Sequence, residues 1–273
     1  MFSEHAKCSI GGARSQRHIA SQRECGIILA MDFGRNVSAD RRECAVAGVF
    51  TRVAGGYDRL NRILSLGLDV AWRRRALSRL ECACGGGLGD ILDLATGTAD
   101  FAIEAARRFP AASVTGIDLT PAMLDIGRCK VADAGMSGRI SLREGRATAL
   151  PFGECSFDAV LCAFGFRNFP DIPASLAEAA RILRDGGRLV VLEFFRPRSA
   201  LLGAFTAGWL RCLSALFAPR VAADYAYLRS SIANTCSAEE FVAMARGIGL
   251  AVERKEIFLP ACSCLILRKC GKM

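Results

Sequence analysis

Asp93-Leu94-Ala95-Thr96-Gly97-Thr98-Ala99-Asp100 decides how this chain is read. A short apolar run at 90–95 leads into it, and a helical pattern at 100–109, stopped by Pro110, leads out. The segment predicts a turn from a strand into a helix at the carboxyl end of a parallel sheet, where open α/β sheets bind ligands. Its small residues let the backbone approach a ligand closely. It lacks the G-x-G-x-x-G spacing of dinucleotide sites, which argues against a nicotinamide-dependent dehydrogenase. The glycines at 85–89 precede a strand instead of following one, so they do not read as a phosphate loop.

Downstream, residues 113–118 read as the next strand, ending in Gly116-Ile117-Asp118-Leu119. A carboxylate at that strand end accepts two hydrogen bonds from a ribose. The alternative for Asp118 is a helix-entry aspartate, although Thr120, followed by Pro121, is the better cap. Further strands are predicted at 139–145, 157–164 and 188–194, and helices at 172–183 and 237–247. The last of these opens with a capping box of Ser237 and Glu240. A terminal pair of strands is expected at 250–258 and 262–267. Strands alternating with helices imply an α/β fold with a mostly parallel sheet covered on both faces.

Upstream, residues 40–81 read as helices, with Val46, Val49, Phe50 and Val53, then Leu60, Ile63 and Leu64, at helical spacing. Arg73-Arg74-Arg75 reads as a solvated helix face. Residues 1–30 lack periodicity and are expected to be a disordered extension, with Met31 as the start of a single domain over 31–273. Residues 199–232 are expected to form a lid-like helical insertion. Within it Leu201, Phe205, Trp209, Leu213, Leu216 and Phe217 make an apolar stripe. That stripe is either a lid helix packed on the core or a helix that meets a membrane or an isoprenoid tail.

Bulk properties narrow the partners. The 273 residues carry 36 basic and 27 acidic side chains, a net charge of +9. No dense basic run and no aromatic–basic interleaving supports nucleic-acid binding, which leaves an anionic surface or ligand, or equally a solvated face, as the reading of that charge. Thirteen scattered cysteines, odd in number and without a C-x-x-C pair, are expected to be buried free thiols in a reducing compartment, with no metal.

Gly145-Arg146-Ala147-Thr148-Ala149-Leu150-Pro151-Phe152, followed by Ser156-Phe157-Asp158-Ala159-Val160, resembles the class I methyltransferases that bind S-adenosylmethionine. Ala163-Phe164-Gly165-Phe166-Arg167-Asn168-Phe169, Val191-Leu192-Glu193-Phe194, Tyr57-Asp58 with Asn61, Ser65 with Gly67, and Tyr225, Tyr227, Leu228, Ser231 and Ile232 look like the ubiquinone/menaquinone biosynthesis C-methyltransferases. The resemblance covers about residues 32–268. It implies a seven-stranded Rossmann-like sheet with helices on both faces. It implies S-adenosylmethionine as methyl donor and a prenylated benzoquinol or naphthoquinol as acceptor. A cytoplasmic enzyme peripherally associated with the membrane follows, as a homodimer or in a quinone-biosynthesis complex. By position, Thr98, Asp118, Arg146 and Ala147 would line the cofactor, with Asp93, Gly97, Leu119 and Ala163 as further contacts. Tyr57, Arg167 and Asn168 would face the quinol ring, with Arg167 stabilising a phenolate; a strand-end salt bridge is the alternative for that arginine. The chain departs from the family at Ala99 for a common glycine, at Arg146 for the Asp or Asn that recognises the adenine amino group, at Ala163 for a frequent serine, and at Ala226 for an arginine. A methyltransferase for another small molecule and a non-catalytic protein of the same fold are the rival functions.

Overall fold

The computed structural model describes residues 39–85, 87–199, 201–204, 208, 230–259 and 262–271. The expectations for residues 1–30, for Phe205, Trp209 and the rest of the stripe beyond Gly208, and for Tyr225–Leu228 therefore lie outside the described residues.

Three helices come first: α1 (Ala39–Val53), α2 (Tyr57–Leu64) and α3 (Leu68–Cys84). The alternating part follows as β1 (Asp90–Leu94), α4 (Asp100–Arg108), β2 (Ser113–Asp118), α5 (Pro121–Asp133), β3 (Ile140–Glu144), β4 (Phe157–Ala163), α6 (Ile172–Ile182) and β5 (Leu183–Phe194). α7 (Ala238–Gly247), β6 (Leu250–Ile257) and β7 (Cys262–Lys269) complete it. The seven strands form one sheet in the order β3-β2-β1-β4-β5-β7-β6. All neighbours are parallel except β7, which runs antiparallel to β5 and β6.

The sheet is covered on both faces, and the apolar runs of its central strands supply both cores. Ile91, Val114, Ala159 and Leu161 join Trp72, Leu77, Leu80 and Phe101 on one side. Leu92, Leu94, Val160 and Leu189 join Leu176, Phe241 and Ala245 on the other. The edge strand β6 carries Glu253, Arg254 and Lys255 in its exposed middle, charges that discourage pairing with another chain. The order reverses at β1, where β2 lies to one side and β4 to the other, so the turns after β1 and β4 face one crevice.

Several local expectations change. Arg73 is not solvated: it is buried, pairs with Asp69 at 2.6 Å and lies over the Phe164 ring. Only its neighbours face outward, Arg74 to Glu104 and Arg75 to Glu256. Thr120 caps α5 without a side-chain cap bond; the Asp118 carboxylate accepts from its backbone N–H instead. Cys162, Cys262 and Cys264 are buried thiols, but Cys44, Cys82, Cys129, Cys155 and Cys270 are exposed, because their positions fall on outer helix faces and loop ends. The capping box of Ser237 and Glu240 forms as expected.

Candidate active site

The turn after β1 is built on backbone conformations that need small residues. Ala95, Gly97 and Ala99 have φ of 57°, 55° and 66°. This left-handed region is strained for any side chain, which accounts for the glycine expected at 99. Asp93, at the end of β1, is buried and accepts from the Thr96 hydroxyl at 2.6 Å, pinning the start of the turn from below. Burial pushes its carboxyl up to about 7.

Asp118 holds the other side. Oδ2 accepts from the Gly97 N–H at 2.9 Å and Oδ1 from the Thr120 N–H at 2.8 Å. A carboxylate has about four acceptor sites and can accept from a ligand hydroxyl besides these backbone donors. Burial raises its pKa, and those backbone donors pull it back.

A cavity opens between this turn, the ends of β2, β3 and β4, and α1. Gly97, Asp118, Leu119, Arg146, Ala147, Ala163, Tyr57 and Asn168 line it, which brings together eight of the eleven residues expected at the site. Val46, Ala47 and Phe50 of α1 form one wall, so the Val46 and Phe50 part of the apolar stripe faces the cavity. The Phe50 and Tyr57 rings meet edge to face at 5.8 Å. Burial holds the Tyr57 phenol above its ordinary 10, against a lowering hydrogen bond with Asn61.

Three expected residues stand elsewhere. Asp93 and Thr98 line a smaller recess behind Tyr57, together with Arg73 and Asp100. The Thr98 hydroxyl donates to Asp58 of α2 at 2.6 Å, and Lys130 reaches both of them and Asp100. This network ties α2 to the turn after β1. Arg167 is not among the cavity-lining residues: its guanidinium pairs with Glu193 at 2.7 Å, the strand-end salt bridge. It also donates to the Phe164 carbonyl at 2.7 Å, as does the Asn168 amide at 3.1 Å. Those bonds fasten the 3-10 turn at Phe166–Asn168 under Phe164, which itself sits at φ 61°.

Glu43 and Lys130 went unnoticed in the sequence, and Asp58 was read only as part of the motif that begins at Tyr57. For Glu43 a signal existed: it is four and seven residues before Ala47 and Phe50, hence on the cavity face of α1. Asp58 and Lys130 are 72 residues apart, and nothing local joins them.

A parallel sheet with an antiparallel β7 inserted next to its edge, a small-residue turn after β1 and an acidic residue ending β2 define an S-adenosylmethionine-dependent methyltransferase of class I. Solved structures agree on the fold: an O-methyltransferase family protein from Burkholderia thailandensis (TM-score 0.61, 17% identity, 94% of this chain and 71% of that one), and a SAM-dependent methyltransferase from Aquifex aeolicus (TM-score 0.51, 15% identity, 69% and 87%). More particularly, the chain belongs to the ubiE/COQ5 methyltransferase family, whose sequence profile matches residues 36–262. It is 44% identical to a demethylmenaquinone methyltransferase of Deinococcus radiodurans, over 75% of this chain and 84% of the relative. It is 40% identical to the ubiquinone/menaquinone biosynthesis C-methyltransferase UbiE of Geobacter sulfurreducens, over 75% and 80%.

Proposed function

We propose that this enzyme methylates a ring carbon of a prenylated hydroquinone, the class of acceptor named for its relatives. One observation carries the reading. A single cavity has nucleoside-type anchors, Asp118 and Ala147, at one end, and Tyr57, Phe164 and Asn168 at the other, with the Gly97 turn between. S-adenosylmethionine supplies a methyl group already activated on a sulfonium. The chain's task is to align that methyl with the acceptor carbon and to favour loss of a ring hydroxyl proton, which makes the neighbouring carbon nucleophilic. Phe50, Phe164 and Phe169 flank a flat ring. Asn168 orients its hydroxyl, and Tyr57, kept protonated by burial, relays the departing proton to water. Arg167 acts through the turn that carries Asn168, because its guanidinium is engaged by Glu193.

A prenyl tail keeps such an acceptor in a bilayer. No helix among the described residues is long and apolar enough to cross a membrane. The net charge of +9 supports visits to an anionic cytoplasmic surface, each basic residue near it contributing on the order of 1 kcal/mol. The decisive experiment offers methyl-labelled S-adenosylmethionine with each demethylated quinol in detergent. Label on a ring carbon is expected. Binding of S-adenosylhomocysteine without transfer to either quinol overturns the acceptor and leaves the methyltransferase fold standing.

A further inference from the structure

Glu43 is a buried carboxylate, 6% exposed, that the proposed chemistry does not use. It enters the cavity from α1, beside Arg146, Leu119 and Met123. Arg146 comes from the loop after β3, and its guanidinium donates to Glu43 and to the outlying Asp40. The arginine side chain is 46% exposed and the Glu43 side chain 8%, so the cation lies on the outer side of the pair and the anion on the inner. The two acids raise the Arg146 pKa, which keeps the guanidinium charged.

The sheet order fixes what this corner of the cavity receives. A nucleoside whose ribose is held at Asp118 can extend toward β1 and β4 or toward β3. The β1–β4 side holds Tyr57, Phe164 and Asn168, the reacting end under the proposed function, so the base extends over the end of β3 to Gly145, Arg146 and Ala147. Arginine offers five donors and no acceptor, and cannot take a hydrogen bond from an exocyclic amino group. The carboxylate beside it can.

We propose that Glu43, carried in by α1 and held by Arg146, is the acceptor for the amino group of the adenine base, and that it sets preference for adenine at this site. The pair divides between two elements a task that one acidic residue in the β3 loop would perform alone. Arg146 neutralises and aims the carboxylate; Glu43 reads the base. The inference rests on the methyltransferase reading of the cavity.

The test compares calorimetric binding of S-adenosylhomocysteine with that of its analogue lacking the 6-amino group. The wild-type protein should prefer the amino form by about 10- to 100-fold, the scale of one hydrogen bond to a charged group. Glu43→Ala should bind both forms alike. Adding Arg146→Asn to that variant should restore part of the preference, because a carboxamide oxygen then sits at the β3 loop. Arg146→Lys should keep most of the preference and Arg146→Met should lose much of it. Should Glu43→Ala fail to fold, Glu43→Met fills the space without an acceptor and should likewise bind both forms alike, a full preference there also overturning the assignment. A full preference in Glu43→Ala, or none in the wild-type protein, overturns the assignment of Glu43. No binding of S-adenosylhomocysteine by the wild-type protein instead overturns the methyltransferase reading on which it rests.

Discussion

The Glu193 carboxylate grips Arg167 twice: Oε1 accepts from the guanidinium at 2.7 Å and Oε2 from the backbone N–H at 3.2 Å. Both side chains are buried, at 1% and 8% exposure. Removing one partner of a buried pair leaves a charge uncompensated, which costs about 3–5 kcal/mol. Glu193→Ala should lower unfolding free energy by about that much in urea titrations. Arg167→Lys keeps the charge but loses the planar fork. It should lower turnover through misplacement of Asn168 while leaving S-adenosylmethionine affinity nearly unchanged. A drop in affinity with turnover intact at saturation would make Arg167 a cofactor residue.

Asp118→Ala should weaken cofactor binding by about 1–3 kcal/mol, the scale of a lost charged hydrogen bond. Isothermal calorimetry checks this. Unaltered affinity removes Asp118 from the site and leaves it as an anchor for Gly97 and Thr120.

Asp93 ties stability to pH. Its folded value of about 7 lies above the ordinary 3.8, so the folded protein keeps a proton that the unfolded chain releases. That contribution is complete below 3.8 and disappears as pH rises through about 7. Asp93→Asn cannot ionise. Between pH 5 and pH 8 its melting temperature should therefore gain steadily on the wild-type protein's. Parallel melting curves across that range would show that Asp93 stays ionised throughout.

Gly116→Ala tests the close packing under the turn. A Cβ there would lie 2.6 Å from Leu142 Cδ2 and 2.8 Å from the Thr96 hydroxyl oxygen. Overpacking of this kind costs about 1–3 kcal/mol. The loss should appear in thermal melts and be accompanied by weaker cofactor binding, because Thr96 belongs to the turn after β1.

Residues 90–118 were legible in the sequence because strand, turn and helix there obey local rules: a short apolar run, small residues in the turn, Pro110 beyond the helix. The same holds for Ser237 and Glu240, whose spacing is itself the capping interaction. Arg73 misled because a charge run looks solvated until its partner is known, and Asp69 is only four residues away on the same helix. The pairings of Glu43, Asp58 and Lys130 were missed for a different reason. Their partners are distant in the chain, and the pairing of Glu43 with Arg146 spans 103 positions. The departure at Arg146 was visible, but the carboxylate that answers it was not.

The reversed direction of β7 gives the molecule a usable polarity. Cys262 pairs with Phe194 at the cavity end of β5, and Arg268 pairs with Arg188, six residues back along the strand. The chain thus leaves the sheet at Lys269 on the side away from the ligand. A molecule tethered to a sensor surface through Cys270, with Cys8, Cys25, Cys44, Cys82, Cys84, Cys129, Cys155, Cys212 and Cys236 replaced, would present its cavity outward. A lipid film passed over that surface would then meet the open mouth of the site directly.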